Sequence, residues 1–178
     1  MAYTKLKDLV DSALERLAAA ERKMDNLEQY SRSNCLIVHG CRDIPKEGKH
    51  LETEQYICNT LNNHLTLESP LQVSDLDIAH VIPAKKGTPI IIKFLRRYQR
   101  NEIYAKKRFL KNTGITITES LTKRRLQLLD AARLAFGNHS CWTLKGEVYV
   151  YFNNKRWHIN DFVNIQKIKQ FLIVLMQL

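Results

Sequence analysis

Basic side chains are concentrated in residues 96–125, where ten Lys and Arg face only two acidic residues. This segment has a formal charge of +8, whereas the rest of the chain carries +2. Such a local excess attracts polyanions, because each phosphate neutralised by Lys or Arg releases condensed counterions. A merely solvated basic surface is the alternative. The predicted contacts to a polyanion are Arg96, Arg97, Arg100, Tyr104, Lys107, Arg108, Lys111, Lys123, Arg124 and Arg125.

Two helices are predicted to present this charge. In a helix over residues 98–111, read at 100° per residue, we expect Tyr98 and Phe109 on the apolar side and Arg100 on an exposed basic side. Like charges on one helix face repel each other by a few tenths of a kcal/mol per pair, a cost that a bound anion removes. At the next helix Thr122 is the predicted N-cap, and three basic residues fill the first turn, where the helix dipole disfavours cations. We therefore expect a phosphate seat at this helix start.

The sequence contains no motif for metal binding or catalysis. The four cysteines are irregularly spaced, without the paired spacing of zinc sites, so reduced thiols are expected and no metal is predicted. There is no Gly-rich phosphate loop, nucleophile motif or carboxylate cluster. The acidic pair Asp75 and Asp77 at a strand start is expected to be solvent-exposed. We therefore predict no enzyme, no cofactor and no small-molecule substrate.

The first thirty residues carry a heptad pattern. Seven apolar residues follow the alternating spacing of four and three that marks the core of a left-handed coiled coil. We expect a parallel coiled-coil oligomer over residues 1–32, and a single helix docked on the body of the same chain is the alternative. The predicted oligomerisation residues are Leu6, Val10, Ala13, Leu17, Ala20, Met24 and Leu27.

Residues 33–119 alternate between strand and helix patterns. Strands are predicted at 35–39, 76–82, 90–95 and 115–118, helices at 51–67 and 98–111, and a turn at 85–89. The order β-α-β-β-α-β closes into a four-stranded antiparallel sheet with both helices on one face, the ferredoxin-like arrangement of RNA-recognition domains. The expected outward residues of the central strands are Ile37, Pro89, Ile91 and Lys93, which leaves no aromatic side chain to stack a base.

Residues 120–178 are predicted to form a second unit of an α+β protein. We expect a helix at 122–136, a hairpin of 141–144 and 148–152, a strand at 156–159 and a terminal helix capped by Asn160 or Asp161. So small a unit is expected to pack against the first, leaving a cleft lined by the basic segment.

The two ends of the chain carry no predicted membrane or secretion signal. The apolar tail 171–178 is shorter than the roughly 20 residues of a membrane span, and we expect it to be the buried or partner-facing end of a helix. The N-terminal residues lack the apolar run of a signal peptide. No membrane partner is predicted.

Five motifs occur in order along the chain: the heptads, SRSNCLIVHG at 31–40, DIAH at 77–80, PIIIKF at 89–94, and ITESLT at 117–122 followed by basic residues. This order resembles the first open reading frame protein of LINE-type non-LTR retrotransposons. The half from residue 121 onward, with WTLKGEVYV at 142–150 and RWHI at 156–159, is similar to the C-terminal domain shared with baculoviral few-polyhedra proteins.

The resemblance implies a homotrimeric chaperone that binds single-stranded nucleic acid and packages its own element's RNA, in a cytoplasmic ribonucleoprotein and/or the nucleus. It implies a coiled coil at 1–32, a non-stacking RNA-recognition-like domain at 33–119 and a C-terminal domain at 120–178, with binding in the groove between the last two. Arg108 matches a family arginine near the end of the second helix. Lys123, Arg124 and Arg125 match the basic start of the following helix. The alternative is a few-polyhedra-like or domesticated adaptor that binds other proteins.

Overall fold

The chain begins with a helix of 30 residues, α1 (Ala2–Ser31). The computed structural model describes residues 2–42, 44, 50–84 and 87–175. Helix α1 has neither Gly nor Pro and is rich in Ala, Leu, Glu and Lys, the residues that lose least on entering a helix.

The apolar strip of α1 faces outward. Leu6, Leu17, Met24 and Leu27 are between 57% and 70% exposed, so the strip is not docked on the body of its own chain. The side that does dock is polar, because Asp25 and Gln29 are the buried residues near the end of the helix. The end of α1 thus docks on the body of the same chain through polar residues, while the heptad strip stays exposed.

The first α+β unit follows the predicted order of elements. Its four strands form one antiparallel sheet in the order β2-β3-β1-β4. Inward side chains of the central strands share one apolar core with residues of both helices, which places both helices on the same face. The elements are β1 (Cys35–His39), α2 (His50–His64), β2 (Leu76–Val81), β3 (Ile90–Phe94), α3 (Arg97–Lys106) and β4 (Thr116–Glu119).

Two helices of this unit are shorter than predicted. Helix α2 ends at His64, and α3 ends at Lys106, where a 3₁₀ turn (Lys107–Leu110) takes over. The tighter winding of a 3₁₀ turn changes the direction of the side chains that follow. Phe109, expected on the buried side, lies in this turn and is 60% exposed. Tyr98, also expected on the buried side, lies in the first turn of α3 and is 61% exposed.

The second α+β unit has its own sheet and its own core. Its three antiparallel strands lie in the order β5-β6-β7, and α4 and α5 pack on one face. The predicted N-cap is confirmed, since the Thr122 side chain accepts from the backbone N–H of Arg125. Asp161 caps α5, accepting from the N–H of Asn164 at 2.8 Å. The elements are α4 (Lys123–Phe136), β5 (Cys141–Leu144), β6 (Glu147–Phe152), β7 (Lys155–Ile159) and α5 (Phe162–Leu175).

Two predictions fall on other parts of the chain. In the predicted turn at 85–89, Lys85 and Lys86 lie outside the described residues. The side chains of the apolar tail 171–178 also lie outside them. Among the helices that are described, none is both long and apolar enough to cross a membrane.

Helix α1 meets the second unit at the turn between β5 and β6. The Gln29 side chain donates to the Ser120 carbonyl at 2.9 Å and accepts from the Thr122 N–H at 3.0 Å. Gly146 lies directly against it with φ of 79°, and a Cβ at this position would sit 2.7 Å from Gln29 Nε2. Glycine at 146 is thus required both by the backbone conformation and by the docking of α1.

We predict that Gly146→Ala destabilises the protein by about 2–4 kcal/mol, because left-handed strain adds to the loss of buried hydrogen bonds of Gln29. Gly87→Ala is the matched control, since φ is 74° there and nothing lies within 4 Å of the added Cβ. It should cost only the strain, about 1–2 kcal/mol. Urea unfolding of both variants is the measurement, and equal losses would contradict the close docking of Gln29.

Candidate nucleic-acid interface

A cleft of about 450 Å³ opens where α1, α3 and the β5–β6 turn meet. Three of its cations, Arg97, Arg100 and Arg125, belong to the predicted set. The other two, Arg32 and Lys145, were missed because they lie far away in sequence, at the end of α1 and in the hairpin turn. Two acidic residues, Glu119 and Glu147, also line the cleft.

Arg100 is buried and forms an internal ion pair. It is 6% exposed, and its Nη2 donates to Glu119 Oε1 at 2.7 Å. The expectation of an exposed position was wrong because Arg100 precedes the buried Ile103 by three residues and so shares its side of α3. Its guanidinium lies 4.8 Å from the Tyr104 ring centroid, and its buried Nε has no hydrogen-bond partner within the described part of the chain.

Glu119 links the β5–β6 turn to α3 by hydrogen bonds. While Oε1 accepts from Arg100, Oε2 accepts from the backbone N–H of Gly146 at 3.1 Å. Glu119 is itself buried, so both of its oxygens are satisfied by groups from different parts of the chain. Charge-assisted bonds of this kind are the strong ones, and they fix one wall of the cleft.

The predicted phosphate seat at the start of α4 is occupied by Asp25 of α1. The Asp25 carboxylate accepts from the Thr122 hydroxyl and from Arg125 Nε at 2.9 Å, and it lies 3.8 Å from Arg124 Nη1. Arg125 is 6% exposed and also pairs with Glu147 at 2.9 Å. Two of the three cations in this first turn, Arg124 and Arg125, are therefore compensated by an internal anion where the helix dipole disfavours positive charge.

The pKa of Asp25 reflects this environment. Burial by itself raises the pKa of the carboxyl, but the hydrogen bonds from Thr122 and Arg125 and the charges of Arg125 and Arg124 outweigh it. The pKa of Asp25 is therefore held below its ordinary value, and the carboxylate stays ionised at neutral pH.

The remaining predicted cations divide into paired and unpaired groups. Arg96 pairs with Asp75 at 3.4 Å, and Lys123 and Arg124 face α1 beside Met24 rather than the cleft. Within the predicted set, no ion pair with another described residue is formed by Arg97, Lys107, Arg108, Lys111 or Lys123, and Lys145 on the cleft forms none either.

Tyr104 links one of these unpaired cations, Lys107, to the second unit. Its hydroxyl donates to the Thr143 carbonyl at 3.4 Å, which brings α3 alongside β5. The Lys107 ammonium lies 3.7 Å from the centroid of the same ring. Arg97 and Lys145 stand on the cleft, and Lys107 stands where α3 approaches β5.

Aromatic side chains form a row on the outward face of the second sheet. Trp142 lies opposite Tyr149, and Tyr149 lies opposite His158. The ring centroids are 5.9 and 5.1 Å apart, with planes inclined by 20° and 29°. By contrast, the described central strands of the first sheet place no Phe, Tyr or Trp outward, because Phe94 is buried.

The thiols and imidazoles are dispersed. Within the residues that the structure describes, no three His, Cys, Asp or Glu side chains come together to hold a metal ion. Burial raises the pKa of Cys35 and Cys141, and that of Cys58 to about 12, with Asp75 and Glu54 adding to the effect on Cys58. These thiols are accordingly poor nucleophiles at neutral pH.

We predict that Asp25→Asn lowers the free energy of unfolding at neutral pH by about 3 kcal/mol, since it removes one partner of a buried ion pair. The depressed pKa means that this stabilisation is present above about pH 4 and is lost as pH falls further, so the variant should show a shallower loss of stability in acid. Thermal unfolding between neutral and acidic pH measures both effects. Asp130→Asn, at an exposed carboxylate, is the control and should leave the curve unchanged.

No protein-family model matches this chain, and no curated protein matches it.

Proposed function

We propose that this protein binds single-stranded nucleic acid, with RNA as the natural ligand, as a packaging factor of the retrotransposon first-open-reading-frame type. The observation that carries the proposal is a set of cations without an ion-pair partner among the described residues. Arg97 and Lys145 lie on the cleft, and Lys107, Arg108 and Lys111 lie in and just after the 3₁₀ turn that follows α3. Phosphates would neutralise charges that the chain itself leaves uncompensated. The protein would act by binding rather than by catalysis.

The distribution of carboxylates supports this proposal. Arg100 and Arg125 are matched by buried acids, whereas Arg108 and Lys111 are exposed and have no acidic neighbour among the described residues. Exposed like charges close together repel each other, and a polyanion relieves that repulsion. Contacts to phosphate carry no base information, so the expected binding is tolerant of sequence.

The same proposal extends to the fold of the first unit. We infer that residues 33–119 are a ferredoxin-like RNA-recognition domain of a non-stacking kind. The strand order β2-β3-β1-β4 and the helices on one face support this inference. The outward Lys93 is paired with Asp77 at 2.6 Å, so its charge is already compensated. Binding would therefore use the cleft and α3 rather than the sheet face, and the complex would be a cytoplasmic ribonucleoprotein, a nuclear one, or both.

We predict that the logarithm of the affinity for a single strand falls with the logarithm of salt concentration, with a slope of roughly −3.5 to −6 if five to eight phosphates are neutralised. Arg108→Gln with Lys111→Gln should flatten the slope by about 1.4, since each phosphate contact contributes about 0.7. Titration of a labelled oligonucleotide at several salt concentrations measures the slopes.

Lys167→Gln with Lys169→Gln is the matched control, because both residues are exposed on α5 and the change in net charge is the same. Its slope should equal that of the unmodified protein. Equal slopes for both pairs of substitutions would reject Arg108 and Lys111 as contacts, and no retention of RNA at low salt would reject the function.

The exposed strip on α1 favours a second candidate, in which the chain is a few-polyhedra-like adaptor and its helix binds other proteins. In both candidates we propose that α1 forms a parallel coiled coil with other copies of the chain, three in the retrotransposon type. Buried apolar heptads drive such assemblies. Retention of homopolymer RNA at low salt separates the two candidates, because a pure adaptor retains none.

We predict that Leu17→Asp reduces the molar mass measured by light scattering to that of one chain, since it places a charge in the apolar seam. Ala19→Asp is the control, because Ala19 is exposed but lies outside the heptad strip. A mass equal to one chain for the unmodified protein would rule out self-assembly through α1.

A further inference from the structure

The row of rings on the second sheet has one anchored end and one open end. His158 is anchored, because its Nε2 lies 3.0 Å from Glu147 Oε2 and Glu147 also holds Arg125. The row is thus tied to the same polar contacts that shape the cleft.

Trp142 stands at the open end. Strand β5 is an edge strand of the sheet, and Tyr149 of the neighbouring strand covers one face of the indole. The opposite face of the indole consequently looks away from β6, and the Trp142 side chain is partly exposed. An aromatic face held in a fixed direction is the feature on which nucleobases stack in proteins that bind single strands.

We propose that Trp142 is a stacking site for an unpaired nucleobase, which would extend the row of Trp142, Tyr149 and His158 by one ring. This inference rests on the proposed function and names the contact through which bases, rather than phosphates, add to the binding. Because every base has a π face, the contact discriminates little between sequences.

Cations are placed at the same edge. Tyr104 reaches the carbonyl of Thr143, the residue next to Trp142, and Lys107 lies against the Tyr104 ring. Lys145 follows in the turn that ends β5. A strand running along this edge would therefore bring a base to Trp142 while its phosphates pass Lys107 and Lys145.

The row is held in place before any ligand arrives. Arg156 lies 5.2 Å from the centroid of Tyr149, and the Tyr149 ring is already sandwiched between Trp142 and His158. A ring that is already fixed loses little conformational entropy when a base stacks on it. Cross-strand aromatic pairs also stabilise a sheet without any ligand, so the test must separate stacking from stability.

The test compares two ligands with equal charge, an oligothymidylate of about 12 nucleotides and an abasic strand of the same length. The full chain should bind the oligothymidylate about 5- to 100-fold more tightly, as expected for one stacked base. Trp142→Leu should abolish this difference while leaving the affinity for the abasic strand and the salt slope unchanged. Trp142→Phe keeps an aromatic face and should retain most of the difference.

Tyr151→Leu is the matched control, because Tyr151 is exposed on the same strand as Tyr149 and on the same face, but is not part of the row. It should retain the full preference for the strand with bases. In a Trp157→Phe background Trp142 is the sole indole, and its fluorescence should be quenched by the oligothymidylate and not by the abasic strand.

Equal affinity of the unmodified protein for both strands would overturn the stacking site and leave nucleic-acid binding standing. The same holds if Trp142→Leu keeps the full preference while its thermal unfolding is unchanged. Failure to bind either strand at low salt would overturn the proposed function and this inference with it.

Discussion

Two buried carboxylates, Glu119 and Asp25, join the three parts of this molecule. Glu119 accepts from Arg100 in α3 and from Gly146 in the β5–β6 turn, and Asp25 brings α1 to the start of α4. Among the described residues the two apolar cores are separate clusters, so no apolar core shared between them fixes the orientation of the units. Hydrogen bonds to charged groups are directional, and removing one partner of a buried pair costs about 3–5 kcal/mol. The cleft therefore owes its shape to these two acids.

This arrangement changes what the excess of positive charge means. Two arginines of the predicted contact set, Arg100 and Arg125, pair with acids inside the protein. An unpaired charge there would be far more costly than at the surface. At the start of α4, where the helix dipole disfavours cations, Arg124 and Arg125 are compensated by Asp25 rather than by an external anion. The formal charge of residues 96–125 therefore overstates the positive charge that is available to a ligand. Cations that pair with buried acids are not available, and the other cations are.

The sequence predicted the elements much better than it predicted the contacts. A continuous apolar run that ends before Gly40 predicted β1 with its observed bounds, and the Lys145-Gly146 turn sets the pairing of Trp142 with Tyr149. His158 joins that row only through the second turn, where Asn153 and Asn154 both have positive φ. The spacing of three between Arg100 and Ile103 already indicated burial of the arginine. The pairing of Asp25 with Arg125, 100 residues apart, has no local signal at all.

Burial separates two kinds of charge in this protein. Salt screens exposed charges strongly and buried pairs much less, because ions approach the former and not the latter. The pairs of Arg100 with Glu119 and of Arg125 with Asp25 should therefore hold the cleft together at salt concentrations that release a polyanion from Arg108 and Lys111. Glu147 extends this logic to the aromatic row, since one of its oxygens binds Arg125 and the other binds His158. The buried pairs that shape the cleft are thereby less sensitive to salt concentration than the exposed cations that would bind a polyanion.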